Sequence, residues 1–469
     1  MNSLTLFCPC AAGVEAYLAD ECRRILGGEP TGLAAQRAGV SLQASWSEMM
    51  QLNLRTRLAQ RVLIQVKSGF YRAEEDLYTL AKSVPWEMWF KVEQTFKVEI
   101  TSQYSPLKSL NFAALKVKDA VADRFRDLKG SRPSVDVKWP HVRIYVHLTQ
   151  DQMLLSIDTS GEPLFKRGWR LDKGEAPLKE TLAAAMLAAS AWEEQDGLAL
   201  YDPCCGSGTI AIEAAQIDCH IAPGIFRKFG FENLLPFQAA SWQTIKNRAR
   251  QEERAPTRAI FGSDVSHRMV DFAKQNAERA GVAHAIEFRG GDALVRMPPI
   301  EKPGMLMVNP PYDERMSALG VAGAAGAAGA AGAGKGMGRE RAQMNSAAAW
   351  EHRNPSRDPS GASSESGSSG SSDRAGTAGT SVAALAGATA SDTAAASADF
   401  FTLLASHWKK NFPGWQAWVL TPNLKLPGQM RLKESRRVPL WNGPIECRMF
   451  KFDMVKGSNT AVKKAGPAV

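Results

Sequence analysis

Residues Leu198 to Gln216 read Leu-Ala-Leu-Tyr-Asp-Pro-Cys-Cys-Gly-Ser-Gly-Thr-Ile-Ala-Ile-Glu-Ala-Ala-Gln. An apolar run ends in Asp202, a turn of small residues follows, and a helical pattern begins at Thr209. Gly206 and Gly208 let the backbone approach a ligand closely. The free N–H groups at a helix start favour negative or polar groups. Asp202 adds an acceptor at the carboxyl end of a strand, where open α/β sheets bind their ligands. The spacing is not that of the dinucleotide fingerprint, and the plain alternative is a turn that is tight for packing alone. The turn with Asp202, Cys204, Gly206, Ser207, Gly208 and Thr209 is the first candidate site, one for a nucleotide-like cofactor.

Downstream the same alternation continues. Ala259–Gly262, Ile286–Phe288 and Met305–Val308 read as strands, with helical patterns or loops between them. That order argues for a parallel sheet covered by helices. Asp264 ends the second of these strands, where an acid can take both hydroxyls of a ribose. Its plain alternative is a helix N-cap, but Ser266 stands ready for that task. Asp292 follows the third strand and can accept a hydrogen bond from an adenine amine; an ordinary loop aspartate is the competing reading.

The fourth strand runs into Asn309-Pro310-Pro311-Tyr312. Two prolines stiffen this turn and fix where its carbonyls point. An exocyclic amine of guanine or adenine is a poor nucleophile, because its lone pair is delocalised into the ring. The Asn309 side-chain oxygen and the Pro310 carbonyl can each accept one N–H of such an amine. That draws the nitrogen toward tetrahedral geometry and frees the lone pair without a strong base. Tyr312 can stack on an extruded base. The rival account is a structural Pro-Pro turn with a packed tyrosine.

The bulk properties fit this reading. The chain has 469 residues, too many for one ordinary domain, with 57 Lys and Arg against 48 Asp and Glu for a net charge of +9. The excess suits a polyanionic partner, though it also serves solubility. The 7 cysteines form no CxxC pair, and Cys8 and Cys10 are too close for a zinc knuckle, so no metal and reduced cytosolic thiols are expected. No run of membrane-spanning length and no basic leader appears, so a cytoplasmic protein without a membrane partner is expected.

Ahead of the parallel sheet, residues 1–158 read as α+β. Ala11–Leu26 is helical, with Val14, Leu18, Cys22 and Ile25 on one face. Leu107–Leu128 is a basic helix carrying Lys108, Lys116, Lys118, Arg124 and Arg126, and it must also bury Leu115 and Val121. Strands follow at Val142–Leu148 and Met153–Ile157. The basic residues are candidate RNA contacts; a solvated surface is the bland alternative. From 317 to 398 the chain is Ala, Gly and Ser, too poor in large apolar residues to offset its ordering entropy, and disorder is expected. Periodicity then returns, with a helix over Phe400–Trp408 and strands at Trp415–Leu420 and Ile445–Phe452. Trp408, Trp415 and Trp418 read as core, His220 and His284 as surface or loop.

Three stretches together are recognisable: Lys166-Arg167-Gly168-Trp169-Arg170, then Ala176 to Ala185, then the two turns already described. They resemble the THUMP-containing class I methyltransferases, in particular the bacterial 23S ribosomal RNA guanine-N2 methyltransferases of the RlmL type. Phe7–Leu26 resembles that family's ferredoxin-like opening, Ser45–Asp158 its THUMP domain, and Asn442–Cys447 its closing hairpin. The resemblance implies a Rossmann-like catalytic domain over 176–316 and 399–456. It is preceded by a ferredoxin-like segment (1–44), a THUMP-like RNA-binding domain (45–158) and a connector (159–175). An insertion (317–398) and a tail (457–469) complete the division.

The resemblance further implies S-adenosylmethionine as methyl donor. Asp202, Gly206 and Gly208 would line its methionine side, Asp264 its ribose and Asp292 its adenine, with Asn309, Pro310 and Tyr312 at the target amine. The substrate implied is 23S ribosomal RNA in a large-subunit precursor. Lys166, Arg167 and Arg170 are further candidate RNA contacts. The Asn-Pro-Pro-Tyr motif is shared with DNA adenine-N6 enzymes, so it does not choose the base; the basic N-terminal region favours RNA. A catalytically inactive RNA-binding assembly factor is the alternative from another class. Some relatives carry a second, fused methyltransferase half, for which this chain is too short.

Overall fold

The computed structural model describes residues 3–172, 174, 177–310 and 390–455. Pro311, Tyr312, Ala176 and most of the low-complexity stretch lie outside the described residues.

The N-terminal part is built on one sheet of seven strands. In chain order they are β1 (Leu4–Pro9), β2 (Ala34–Gln36), β3 (Gly39–Ala44), β4 (Leu63–Phe70), β5 (Phe96–Ser102), β6 (Val142–Leu148) and β7 (Gln152–Asp158). The spatial order is β2-β3-β1-β4-β7-β6-β5. β4 pairs with β1 through Leu6↔Ile64 and with β7 along its length, so it joins the ferredoxin-like strands to the rest. Four helices cover the sheet: α1 (Glu15–Leu26), α2 (Trp46–Arg55), α3 (Glu74–Lys82) and α4 (Leu110–Lys129). The predicted face of α1 is buried at Val14, Leu18 and Cys22. α2 starts in a capping box: Glu48 N donates to Ser45 Oγ (3.3 Å) and Ser45 N to Glu48 Oε2 (2.6 Å). In α4 the sequence expectation needs correction. Ser109 caps the helix, so it begins at Leu110, and Leu115 is 51% exposed while Val117, Val121 and Phe125 form the buried stripe.

The second sheet also has seven strands: β8 (Leu200–Asp202), β9 (Ile260–Asp264), β10 (Ile286–Gly290), β11 (Met305–Val308), β12 (Gln416–Thr421), β13 (Arg436–Asn442) and β14 (Ile445–Asp453). Their order is β10-β9-β8-β11-β12-β14-β13. The first five are mutually parallel, and the β13/β14 hairpin closes the sheet antiparallel. Helices α5 (Glu180–Ser190), α6 (Thr209–Asp218), α7 (Ala239–Gln251), α8 (His267–Arg279), α9 (Ala390–Asn411) and α10 (Leu426–Met430) accompany it. α9 begins inside the stretch expected to be disordered to residue 398. Alanine, the best helix former, dominates its first turns. Trp408, Trp415 and Trp418 are buried as expected, while His220 and His284 are exposed. The strand order reverses between β8 and β11, the topological switch point at which open α/β sheets take ligands.

A buried polar seam runs between the two sheets. Glu213 of α6 is fully buried and takes Arg167 Nε at 3.1 Å and Arg57 Nη1 at 3.4 Å. Arg61 pairs with buried Asp158 at 2.5 Å. Arg227 donates to the carbonyls of Ser160, Glu162, Pro163 and Lys166, and burial lowers its pKa to about 10. Every one of these cations has an acceptor, the condition under which buried charge is tolerated.

Candidate functional site

At the switch point β8 delivers Asp202 and β9 delivers Asp264, with β10 leading to Asp292 and β11 to Asn309. Asp202 is 2% exposed. Its Oδ1 accepts Cys204 N at 3.1 Å, yet desolvation dominates and lifts the carboxyl to about 8, with Asp264 adding repulsion. Asp264 accepts two backbone N–H groups, Gly206 at 2.9 Å and Ser266 at 2.9 Å. Its pKa is also raised, by burial, against those two bonds. Ser266 is the N-cap residue of α8 but its side chain makes no capping bond, so Asp264 itself serves this turn. Asp292 is exposed and its Oδ1 accepts Leu294 N at 2.9 Å. Burial is the main cause that pushes up the Cys204 thiol, and the charges of Asp202, Asp264 and Asp292 add to it.

The two glycines of the turn do different work. Gly206 has φ +53°, and a Cβ there would meet only Met269 Cε at 4.0 Å, so its backbone faces open space. Gly208 has φ +86°, and a Cβ would stand 3.0 Å from both Ala273 Cβ and Phe288 Cζ. Its smallness serves helix–strand packing as well as the turn. Ser207 and Thr209 are buried, and their hydroxyls accept from Arg170 at 3.0 and 2.7 Å. Arg170 also pairs with Glu180 at 2.7 Å. Asn276 of α8 donates to the Ser207 carbonyl at 3.1 Å and to Asp172 O at 2.9 Å. The connector thus grips the turn from behind, which the sequence alone did not show.

Carboxylates at the ends of three adjacent strands suit a ligand rich in hydroxyl and amino donors, and the open backbone at Gly206 gives it room. The donor set therefore fits an adenosyl amino acid. Two further residues frame the mouth. Arg296 Nη1 donates to Gly290 O at 2.8 Å, and His407 of α9 holds the Arg296 carbonyl at 2.8 Å. Neither carries a motif that reading along the chain would single out. Asn309 is half-buried and Pro310 buried. β11 pairs directly with β8, so Asn309 leaves the sheet beside the turn that starts at Asp202.

The candidate RNA residues spread over two regions. Lys108 is exposed. Lys116 pairs with Glu75, Lys118 with Asp119 at 2.9 Å, and Arg126 with Asp123 at 3.3 Å. Arg124 is bound bidentately by Glu87 at 2.6 and 2.7 Å. Lys166 pairs with Glu162. Arg167 requires correction: it is 1% exposed, held by Glu213 and by the carbonyls of Leu164 and Arg57, and offers nothing to an external partner. Among the described residues there is no group of His, Cys, Asp and Glu arranged to hold a metal, and no helix long and apolar enough to cross a membrane.

Comparison with known proteins agrees with this architecture. An RlmL ferredoxin-like domain matches residues 5–63, a THUMP domain 71–158 and an RMKL-like methyltransferase domain 167–322. A protein named ribosomal RNA large subunit methyltransferase K/L from Shewanella pealeana is 43% identical over 284 residues, 60% of this chain and 40% of that protein. A namesake from Syntrophotalea carbinolica is 31% identical over 462 residues, 97% of this chain and 54% of its own. The chain spans about half the length of the curated relatives it matches. Among solved structures, a methyltransferase complexed with SAH superposes with TM-score 0.72 at 23% identity, over 97% of this chain and 98% of that one. A protein from Listeria monocytogenes described as an N6-adenine-specific DNA methylase gives 0.71 at 25% identity, over 96% of each. The chain thus carries, in this order, matches to an RlmL ferredoxin-like domain, a THUMP domain and an RMKL-like methyltransferase domain, and it shares its fold with a solved structure complexed with SAH.

Proposed function

We propose that the chain methylates the exocyclic N2 amine of a guanine in 23S ribosomal RNA of a large-subunit precursor. The observation that carries this reading is the pairing of β11 with β8, which sets Asn309-Pro310 beside the acidic turn at the switch point. The bound cofactor supplies an electrophilic methyl group. Asp202 and the Gly206 backbone hold its methionine end, Asp264 its ribose and Asp292 its adenine amine, with Cys204 lining the turn. Ser207 and Thr209, engaged by Arg170, fix the turn's shape. The Asn309 oxygen and Pro310 carbonyl accept the two N–H bonds of the target amine and turn its lone pair toward the methyl group. The proton lost afterwards passes to solvent. Pro311 and Tyr312 follow in sequence, and Tyr312 has the ring to stack on the extruded base. The relatives named ribosomal RNA large subunit methyltransferase K/L support the substrate class.

RNA is held on the N-terminal part through Lys108, Lys116, Lys118, Arg124 and Arg126, with Lys166 nearer the turn; Arg170, engaged by Glu180, Leu178 O, Ser207 and Thr209, serves the turn instead of the RNA. The test is mass spectrometry of ribosomal RNA nucleosides from cells with and without the chain. Loss of N2-methylguanosine is expected. Loss of N6-methyladenosine instead would transfer the activity to adenine, the base named for the Listeria relative. No change in either would leave RNA binding without catalysis.

A further inference from the structure

Tyr104 is 80% exposed and has φ +63°, a left-handed backbone that a bulky residue rarely adopts. The strain is imposed from both sides. Gln103 N donates to Leu148 O at 2.7 Å, and Ser105 Oγ is fixed at 2.7 Å by the hydroxyl of Tyr71, whose ring is 2% exposed. The single Tyr71 hydroxyl proton goes to Thr149 O at 2.5 Å, so the Ser105 hydroxyl donates to the phenol oxygen. The loop is therefore rigid, and its one strained residue lifts an aromatic ring into solvent. Strain held this firmly at an exposed side chain points to a use for that side chain.

The same end of the sheet carries more of this chemistry. The ends of β4 and β5 lie there together with the β6–β7 turn, and Phe70 at the end of β4 is 74% exposed. Phe112, in the first turn of α4, is 48% exposed with the Lys116 ammonium 5.6 Å from its ring centre. Lys116 is held by Glu75, whereas Lys108 and Arg72 are exposed and enter no ion pair among the described residues. Exposed rings interleaved with free cations match the two needs of single-stranded nucleic acid, a stacking surface for bases and positive charge for phosphates.

We propose that the Tyr104 loop is a stacking platform for unpaired bases of the RNA substrate, with Phe112 beside it and Lys108 and Arg72 tracking the phosphates. This rests on the RNA reading above. The probe is a fluorescein-labelled single-stranded RNA of mixed sequence, titrated with the full chain and with Tyr104→Gly and Tyr104→Phe. Glycine removes the ring and relieves the backbone, so Tyr104→Gly should melt at or above wild type yet bind the oligonucleotide about tenfold more weakly. Tyr104→Phe keeps the ring and should bind like wild type. Equal affinity of Tyr104→Gly and wild type overturns the proposal, as does a wild type that binds no oligonucleotide. So does a melting temperature several degrees lower in Tyr104→Gly, which would make the ring structural. A concentration-dependent dimer that Tyr104→Gly abolishes would assign the patch to a second copy of the chain and also overturn it. None of these outcomes depends on which base is methylated, so they stand apart from the nucleoside analysis.

Discussion

Asp202 is a buried acid whose proton is lost only at about pH 8, because burial and the neighbouring Asp264 both oppose its charge. The donor brings a sulfonium and an ammonium, so the ionised carboxylate is the form that should receive it. Cofactor affinity should then fall below pH 8 by about tenfold per unit, with a proton released on binding. Calorimetry in two buffers of different ionisation enthalpy measures that release, and Asp202→Asn should abolish it. The same group has a stability signature. Its folded pKa is raised above 3.8, so its contribution is fully present below that value and is lost as the pH rises through about 8. Wild type should therefore lose stability relative to Asp202→Asn across that window. Asp264→Ala should weaken cofactor binding by on the order of 1–3 kcal/mol, read by calorimetry, because it removes the bond to Gly206 N and, on the proposed function, the acceptor for the ribose. Asn309→Ala should leave cofactor affinity intact and slow single-turnover methyl transfer about a hundred- to a thousandfold. A rate within a few-fold of wild type would remove Asn309 from the chemistry.

Among the elements, α4 is where the RNA reading is most exposed to test. Arg124 chelates Glu87 and helps hold α4 in place, so its replacement would mix folding with binding. The cleaner variant combines Lys108→Glu, Lys118→Glu and Arg126→Glu. RNA affinity should drop and its salt dependence should flatten, by about 0.7–0.9 in the log–log slope for each phosphate no longer neutralised. Cofactor affinity should not move. How far each element was readable follows from its physics. Met305–Val308 and Val142–Leu148 are apolar or strictly alternating runs, and the structure has strands at just those residues. β13 was read only through resemblance: it begins Arg436-Arg437 and contains Pro439, a composition tolerated because it is the edge strand. β2 is three exposed residues with no apolar face to detect. At the site, the positions of Asp202 and Asp264 at strand ends were visible because the apolar runs before them mark where the strands stop. The packing role of Gly208 was not, because Phe288 meets it from far along the chain. The same distance hid Arg170 behind the turn and made buried Arg167 look like a surface cation.

For the molecule as a whole, the polar seam is a place where one substitution strands buried charge. Glu213→Ala would leave Arg57 and Arg167 buried without their carboxylate, at a cost of roughly 3–5 kcal/mol in denaturant unfolding. Removing residues 317–389 and joining the ends with a short linker should preserve the fold, since shortening a connection changes closure entropy little. A soluble product with an unchanged melting temperature is the expected result.

β4 belongs at once to the ferredoxin-like strands and to the rest of the N-terminal sheet, and the seam bolts that sheet to the catalytic one. On the proposed function the consequence is metrological. The span between the point that grips RNA and the point that modifies it is a constant of the fold, as in a caliper with its jaws locked. Such an enzyme chooses its nucleotide by measuring how far it lies from a structural landmark in the RNA, and a new target would require a different gauge length rather than a different pocket.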